Sequence, residues 1–249
     1  MANVRLIDSK EAIFGEAQCD VAMEAYSGIG RFEGEKLDCL RGLFCMYPEY
    51  VHLVTLAKTP IYTIADIVGK RFSTGSPGSG VEYTVHYLME ALGYTDDDFK
   101  ISRLGLSESA AALKDGTIDV AAMGPGGVPL SAVIDISTTH DIRLIPITPE
   151  DVDKVNALYP YFSAGDIKAG SYRGIDEDAP SLYIGSMVLC HKDVQYRAAY
   201  EIVKVVMENL DYMRTVHAAA NHTTLENGPN VKIPLHPGAE RYYRDMGIL

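Results

Sequence analysis

Two periods of apolar residues alternate along this chain. Val81, Val85, Leu88, Met89 and Leu92 stand at i, i+4, i+7, i+8 and i+11, which is one face of an amphipathic helix. Before them, Lys70 to Thr74 reads as a short strand, and Gly75-Ser-Pro-Gly-Ser-Gly80 as the turn between the two. Ser79 is placed to cap that helix and Gly93 to close it. The same reading predicts helices over Val4–Gly15, Thr63–Ile67, Ser107–Gly116, Pro129 to about Ser137, Glu150–Leu158, and Tyr196 to about Ala220. Strands are expected at Cys19–Met23, Tyr50–Ala57, Phe99–Leu104, Ile118–Met123, Ile142–Ile147 and Ser181–Cys190. Tyr159–Pro180, rich in Gly and Tyr, reads as irregular. Alternation of this kind predicts an α/β fold of mostly parallel sheets flanked by helices.

One pattern occurs twice. A helix and a turn lead into x-Asp-Val-Ala at Cys19–Ala22 and again at Ile118–Ala121. Read as a repeat, this marks two lobes built alike; two unrelated helix–strand units would read the same way. In the repeat reading the second copy is preceded by strand, glycine turn, helix and strand, and the first by nothing but Met1 and Ala2. The expectation is then a first lobe incomplete at its N-terminus, lacking a strand–helix–strand and any export signal.

The glycine turn carries the candidate chemistry. Free N–H groups at a helix start, with the positive end of the helix dipole, attract an anion. Glycines admit close approach to the backbone, and serine hydroxyls add neutral hydrogen bonds. Sharper motifs fail: Val81 and Glu82 stand where a phosphate loop needs Lys and Ser/Thr. Tyr83 replaces the last glycine of a dinucleotide fingerprint, and Pro77 the first glycine of a hydrolase elbow around Ser79. The turn reads equally well as an ordinary strand-to-helix connection. A second glycine turn, Gly124-Pro-Gly-Gly127, follows the strand at Ile118–Met123, an end where open α/β sheets place ligands.

Bulk properties narrow the partners. The chain has 249 residues and a net charge of -12, which argues against nucleic-acid binding. No run of apolar residues is long enough for a membrane span, and the first residues form no signal peptide. Cys19, Cys39, Cys45 and Cys190 show no metal-ligand spacing, so core thiols are expected and no metal or cofactor is implied.

Four stretches together carry a resemblance. They are Ile61–Gly69 (I-x-T-I-x-D-I-x-G) running into Lys70 and the S-T-G-S-P-G-S-G turn; L-K-D-G-T-I-D-V-A at Leu113–Ala121; Ile167-Lys-Ala-Gly-Ser-Tyr-x-Gly174; and Pro234-Leu-His-Pro-Gly-Ala239. In order and spacing the chain resembles the TAXI solute receptors of tripartite ATP-independent periplasmic (TRAP) transporters, over nearly its whole length. The resemblance implies a type II periplasmic-binding-protein fold of two lobes: residues 1–69, truncated; 70–178; and 179–249 returning to the first. It implies a small anionic or zwitterionic solute, an amino acid such as glutamate or an organic acid, held in a cleft between the lobes. It further implies a periplasmic or extracytoplasmic location, delivery to TRAP permease subunits, and a monomer or weak dimer without enzymatic activity. Carried onto this sequence, the binding residues are Thr74, Gly75, Ser76, Ser79 and Gly80 in the first turn and Gly124, Pro125 and Gly126 in the second. Asn3 stands where the first lobe offers a side-chain amide, and Tyr26 and Tyr172 are expected to wall the pocket.

Other residues read as structural. His52 is expected in the core with a satisfied partner and His236 in the packing of the C-terminal segment. Arg5 and Arg103 are expected as surface arginines, and Glu24 as a solvated loop carboxylate. Two other function classes stay open: an enzyme built on Cys19 or Cys45 with His52 or His191, and a ligand-sensing module, for which a fused output domain would be the mark and is not found in these residues.

Overall fold

The computed structural model describes all residues, Met1–Leu249. Chain order begins with helix α1 (Ala2–Asp8), strand β1 (Phe14–Gln18), helix α2 (Cys19–Ser27) and the long strand β2 (Leu40–Leu56). Then follow β3 (Arg71–Ser73), α3 (Gly80–Ala91), β4 (Lys100–Ser102), α4 (Leu106–Lys114), β5 (Val120–Gly126), α5 (Ser131–Thr139), β6 (Ile142–Leu144), α6 (Pro149–Leu158) and β7 (Ser163–Ile167). The chain ends with β8 (Ala179–His191), α7 (Tyr196–Glu208), α8 (Leu210–Val216) and α9 (Pro237–Asp245). No helix is long and apolar enough to cross a membrane.

Two compact units result: Met1–Pro48 with Ile184–Leu249, and Glu49–Tyr183. Strands β2 and β8 each begin in one unit and end in the other. The crossings expected after residues 69 and 178 therefore fall inside the second unit. Glu49–Leu56 belongs there because it pairs with β5 and β6.

In the first unit, β1 runs antiparallel to β8, and β8 is the neighbour of β2. Its core gathers Leu43 and Phe44 of β2, Val188 and Cys190 of β8, Ala199, Val203 and Met207 of α7, and Tyr242 and Tyr243 of α9. The Pro234-Leu-His-Pro-Gly-Ala239 stretch is explained here. His236 N–H donates to the Gly42 carbonyl at 2.9 Å and Gly42 N–H to the Pro234 carbonyl at 2.9 Å, seating the segment on β2. The His236 Nδ1 then accepts the Gly238 N–H at 3.1 Å and caps α9, with Pro237 in its first turn. His236 is structural, as its sequence context suggests.

In the second unit the strand order is β2–β5–β3–β4, with β6 on β2 and β7 on β8. The core joins Val54 and Leu56 of β2, Ala121 and Met123 of β5, Ala110 and Leu113 of α4, and Val133 and Ile136 of α5. α3 follows its sequence reading closely. Ser79 Oγ accepts the Glu82 N–H at 3.2 Å, and at the far end Gly93 N–H and Tyr94 N–H return to the Glu90 and Met89 carbonyls at 2.9 Å each.

Several expectations are corrected. Cys19–Met23 is the start of a helix, not a strand. Cys19, Asp20, Val21 and Ala22 are all buried, and an unbroken buried run carries no period to separate the two. The two Asp-Val-Ala copies thus fold differently, one in α2 and one in β5, and the repeat does not mark two lobes built alike. The Val4–Gly15 helix stops at Asp8, where Lys10 turns into the left-handed region (φ 63°) and the chain re-enters as β1. The Tyr196–Ala220 helix breaks at Asn209, whose side-chain amide donates to the Val205 carbonyl at 2.7 Å. Tyr159–Pro180 holds β7. The sheet is mixed rather than mostly parallel: β3–β4 and β3–β5 are parallel, while β1–β8, β2–β5, β2–β6 and β7–β8 are antiparallel.

Candidate functional site

Three connections leave the same edge of the second unit's sheet. β3, β4 and β5 are parallel, with Ser73 level with Ser102 on one side and Ala121 on the other. The turns after β3 and β4, at Thr74–Ser79 and Arg103–Gly105, therefore start side by side, while β5 runs on five residues past that level to Gly126 before its own turn at Gly127–Leu130. This is the edge at which such sheets offer backbone donors to ligands.

The first turn is built around Gly75. Its φ is +100°, and a Cβ there would come within 2.8 Å of the Val81 side chain. Only glycine lets the chain double back onto the start of α3. Thr74 is buried and its N–H donates to the Ser102 carbonyl at 3.0 Å, so its backbone locks the turn to β4. Ser79 spends an acceptor position on the Glu82 amide but keeps its hydroxyl proton. Ser76 is half-buried, with its Oγ 3.3 Å from where a Cβ on Gly105 would stand. The N–H groups of Ser76, Gly80 and Val81 are taken by none of the recorded turn and cap hydrogen bonds. Three amides and two hydroxyls are thus available at one helix start.

Sequence reasoning missed the residue that organises this turn. The Glu82 carboxylate accepts the Gly78 N–H at 2.6 Å through Oε2 and the Arg103 Nε–H at 2.7 Å through Oε1. Ser79-x-x-Glu82 has the spacing of a capping box, and that signal was present in the chain. Arg103 is half exposed, as a surface arginine should be, but it is held by Glu82 and by Asp96 at 3.0 Å. Arg5 likewise pairs at the surface, with Glu35 at 2.7 Å.

The second turn rests on a buried hydrogen-bonded chain. Gly124 has φ +89°, and a Cβ would collide with the Tyr50 carbonyl of β2, so its glycine is demanded by strand packing. Gly126 is paired with Tyr50 across the β2–β5 ladder, and Pro125 lies half-buried between them. His52 is fully buried, with Nδ1 3.1 Å from the Tyr50 carbonyl and Nε2 2.8 Å from the Tyr172 hydroxyl. A carbonyl only accepts, so Nδ1 carries the proton and Nε2 accepts from Tyr172. The Tyr172 oxygen in turn accepts the Leu130 N–H at 2.8 Å, next to the start of α5. Burial pushes the His52 pKa down to about 4 and the Tyr172 pKa up to about 12. His52 is the satisfied core histidine expected. Tyr172, expected as a pocket wall, is only 4% exposed and packs in the core, because its hydroxyl has two partners inside.

Asn3 and Tyr26 belong to the first unit and are described within it. The Asn3 amide donates to the Glu16 carbonyl at 2.8 Å, which leaves its oxygen free to accept. Tyr26 lies half-buried in α2, with the Arg41 guanidinium 6.0 Å from its ring centre. Glu24, expected as a solvated loop carboxylate, is buried in the same helix. It accepts from Arg31 Nε at 2.6 Å, while Arg31 Nη2 donates to Asp20 at 2.6 Å. Helical spacing of Asp20 and Glu24 lets one guanidinium serve both. Burial raises the Asp20 pKa against the opposing pull of Arg31.

Cys45 is not poised as a nucleophile. Burial pushes the Cys45 thiol up to about 11, away from the thiolate that catalysis needs. His52, kept neutral by burial, has both ring nitrogens engaged.

Among solved structures, a protein of Bordetella bronchiseptica RB50 is 13% identical with a TM-score of 0.51, covering 98% of this chain and 67% of that one. The periplasmic aliphatic sulphonate binding protein SsuA from Escherichia coli is 14% identical with a TM-score of 0.47, covering 87% of this chain. The alkanesulfonate-binding protein SsuA from Xanthomonas axonopodis pv. citri, bound to MOPS, is 14% identical with a TM-score of 0.47, covering 97% of this chain and 68% of that one. The match spans only 56% of the Escherichia coli protein's length. The fold is α/β, with a mixed sheet flanked by helices. Matching that family's pattern over residues 1–247, the chain belongs to the NMT1-like family.

Proposed function

We propose that this chain is the recognition part of an extracytoplasmic solute receptor, capturing a small carboxylate-bearing solute and delivering it to a membrane permease of the TRAP type. The observation that carries the reading is the Thr74–Gly80 turn. It presents the uncommitted amides of Ser76, Gly80 and Val81 with two serine hydroxyls at the start of a twelve-residue helix. Such a group suits one carboxylate and asks for no chemistry. The order of the four TAXI-like stretches supports the transporter class, and amino acids such as glutamate or organic acids are the solute class it suggests. Thr74 and Gly75 shape the first turn, Ser76, Ser79 and Gly80 hold the solute, Gly124, Pro125 and Gly126 form the end of β5 rather than the turn expected there, and Tyr172 braces the Gly127–Leu130 turn from inside.

One substitution isolates the claim. Gly80 is the first residue of α3, where proline is tolerated, and Ser79 before it is extended (φ -80°, ψ 159°), as a residue preceding proline prefers. Gly80→Pro therefore removes one donor while keeping the helix. Calorimetric titration with amino acids and dicarboxylates is expected to find a binder whose affinity falls roughly tenfold in Gly80→Pro, about 1.4 kcal/mol. Absence of binding by any carboxylate, or equal affinity in the variant, rejects the reading.

A further inference from the structure

Behind the glycine turn, α3 covers a cavity of about 230 Å³ against β3 and β4. Its floor is apolar: Phe72, Val85, Met89, Phe99 and Ile101 line it, with the Phe72 and Phe99 rings edge to face at 5.6 Å. Its rim is ionic, formed by Glu82, Asp96 and Arg103. An apolar cavity of ~150 Å³ takes up benzene, so this one has room for a ring and a short arm. The rim decides the arm's charge. Two carboxylates share one guanidinium there, leaving one excess negative charge. Asp96 uses Oδ2 on Arg103, and no partner is recorded for Oδ1. An anionic arm would meet two carboxylates; a cationic arm would meet a carboxylate oxygen with lone pairs to spare.

We propose that this cavity binds a small primary amine carried on an aromatic or branched aliphatic body, and that occupancy reaches the glycine turn through Glu82. The ring packs against Phe99, Met89 and Ile101, with Phe72 closing the floor behind them, and the ammonium sits between Asp96 and Glu82. Glu82 touches both places through its two carboxylate oxygens. Its Oε1 faces the rim on Arg103, and its Oε2 holds the Gly78 amide. A cation at the rim competes with Arg103 and with Gly78 for the same carboxylate. This site borders the proposed solute turn at Thr74 and Glu82, and it stands whether or not that turn binds a carboxylate.

The test uses the full chain with methyl-labelled methionine. Nine methionines give nine signals, and Met89→Leu assigns the one in the cavity. Three probes of similar shape are titrated: 2-phenylethylamine, the neutral ethylbenzene and the anionic 3-phenylpropionate. The expected result is a saturable shift of the Met89 methyl, with the amine at least tenfold tighter than either other probe. Asp96→Asn, at an exposed position, should weaken the amine several-fold and leave ethylbenzene unchanged. The Gly78 amide resonance should move with the amine. An unmoved Met89 signal, equal affinity for the three probes, or tightest binding of the anion overturns the assignment. A Met89 shift with a still Gly78 amide overturns the coupling through Glu82.

Discussion

His52 and Tyr172 show how much a single buried pair can fix. The imidazole donates to the Tyr50 carbonyl and accepts from Tyr172, which accepts from Leu130. Removing the Tyr172 hydroxyl leaves a buried ring nitrogen and a part-buried amide unmet, so Tyr172→Phe should lower stability by about 1–3 kcal/mol in urea unfolding. The chain also makes folding acid-sensitive. Unfolded, a histidine takes a proton near pH 6.5. Folded, His52 resists it down to about 4. Between those values the unfolded state holds the extra proton, so this contribution to stability falls as pH falls, by about 1 kcal/mol per pH unit. Melting temperatures measured from pH 7 to pH 4.5 should decline, and His52→Gln should flatten the decline; parallel curves would remove His52 as the cause. His52 was legible from its sequence because it sits among β-branched residues in a strand. Tyr172 was not, since a glycine-rich stretch gives no period from which to judge burial. Glu24 was misread because the carboxylate's partner, Arg31, lies one helix cap further on.

At the scale of elements, the periods served wherever one face was wet. α3, with its stripe at Val85, Leu88 and Met89, and α4 emerge within a residue or two of their expected ends. The failures fall where that contrast vanishes. α2 is buried along its first four residues, so it shows no polar face in the window that was read. β2 starts ten residues before its expected beginning and runs through Gly42 and Pro48. Gly42 is there because a Cβ would press to 2.6 Å on Val231, not because the strand turns. The turn after β3 was found, but its organiser, Glu82, was passed over as a failed phosphate-loop position. The buried Asp20–Arg31–Glu24 cluster gives α2 its own test. Arg31→Met strips the cation from two buried carboxylates and should cost about 3–5 kcal/mol in chemical denaturation, well above a surface arginine's effect. A loss below 1 kcal/mol would mean that the carboxylates are not confined as the geometry shows.

The whole chain is divided unequally between its two units. The second is one continuous segment, Glu49–Tyr183, whereas the first is assembled from Met1–Pro48 and Ile184–Leu249. Their cores follow that division. Every buried member of the second unit's cluster, from Val54 to Ile175, lies between residues 49 and 183. In the first unit's cluster only Leu43 and Phe44 come from the N-terminal piece; the rest, from Val188 to Tyr243, come from the C-terminal one. Cutting the chain at residue 183 therefore takes from the first unit most of its core, the strand that pairs with β1, and both α7 and α9. The second unit loses nothing it buries in that cluster. A fragment of residues 49–183 should thus unfold in one cooperative transition and show dispersed amide resonances, because burial of a contiguous apolar core drives such folding. Residues 1–183 should give the same dispersed set plus a collapsed, random-coil set from residues 1–48. If the 49–183 fragment instead lacks a cooperative transition, the two units are a single folding unit, and the glycine turn owes its shape to residues outside the segment that carries it.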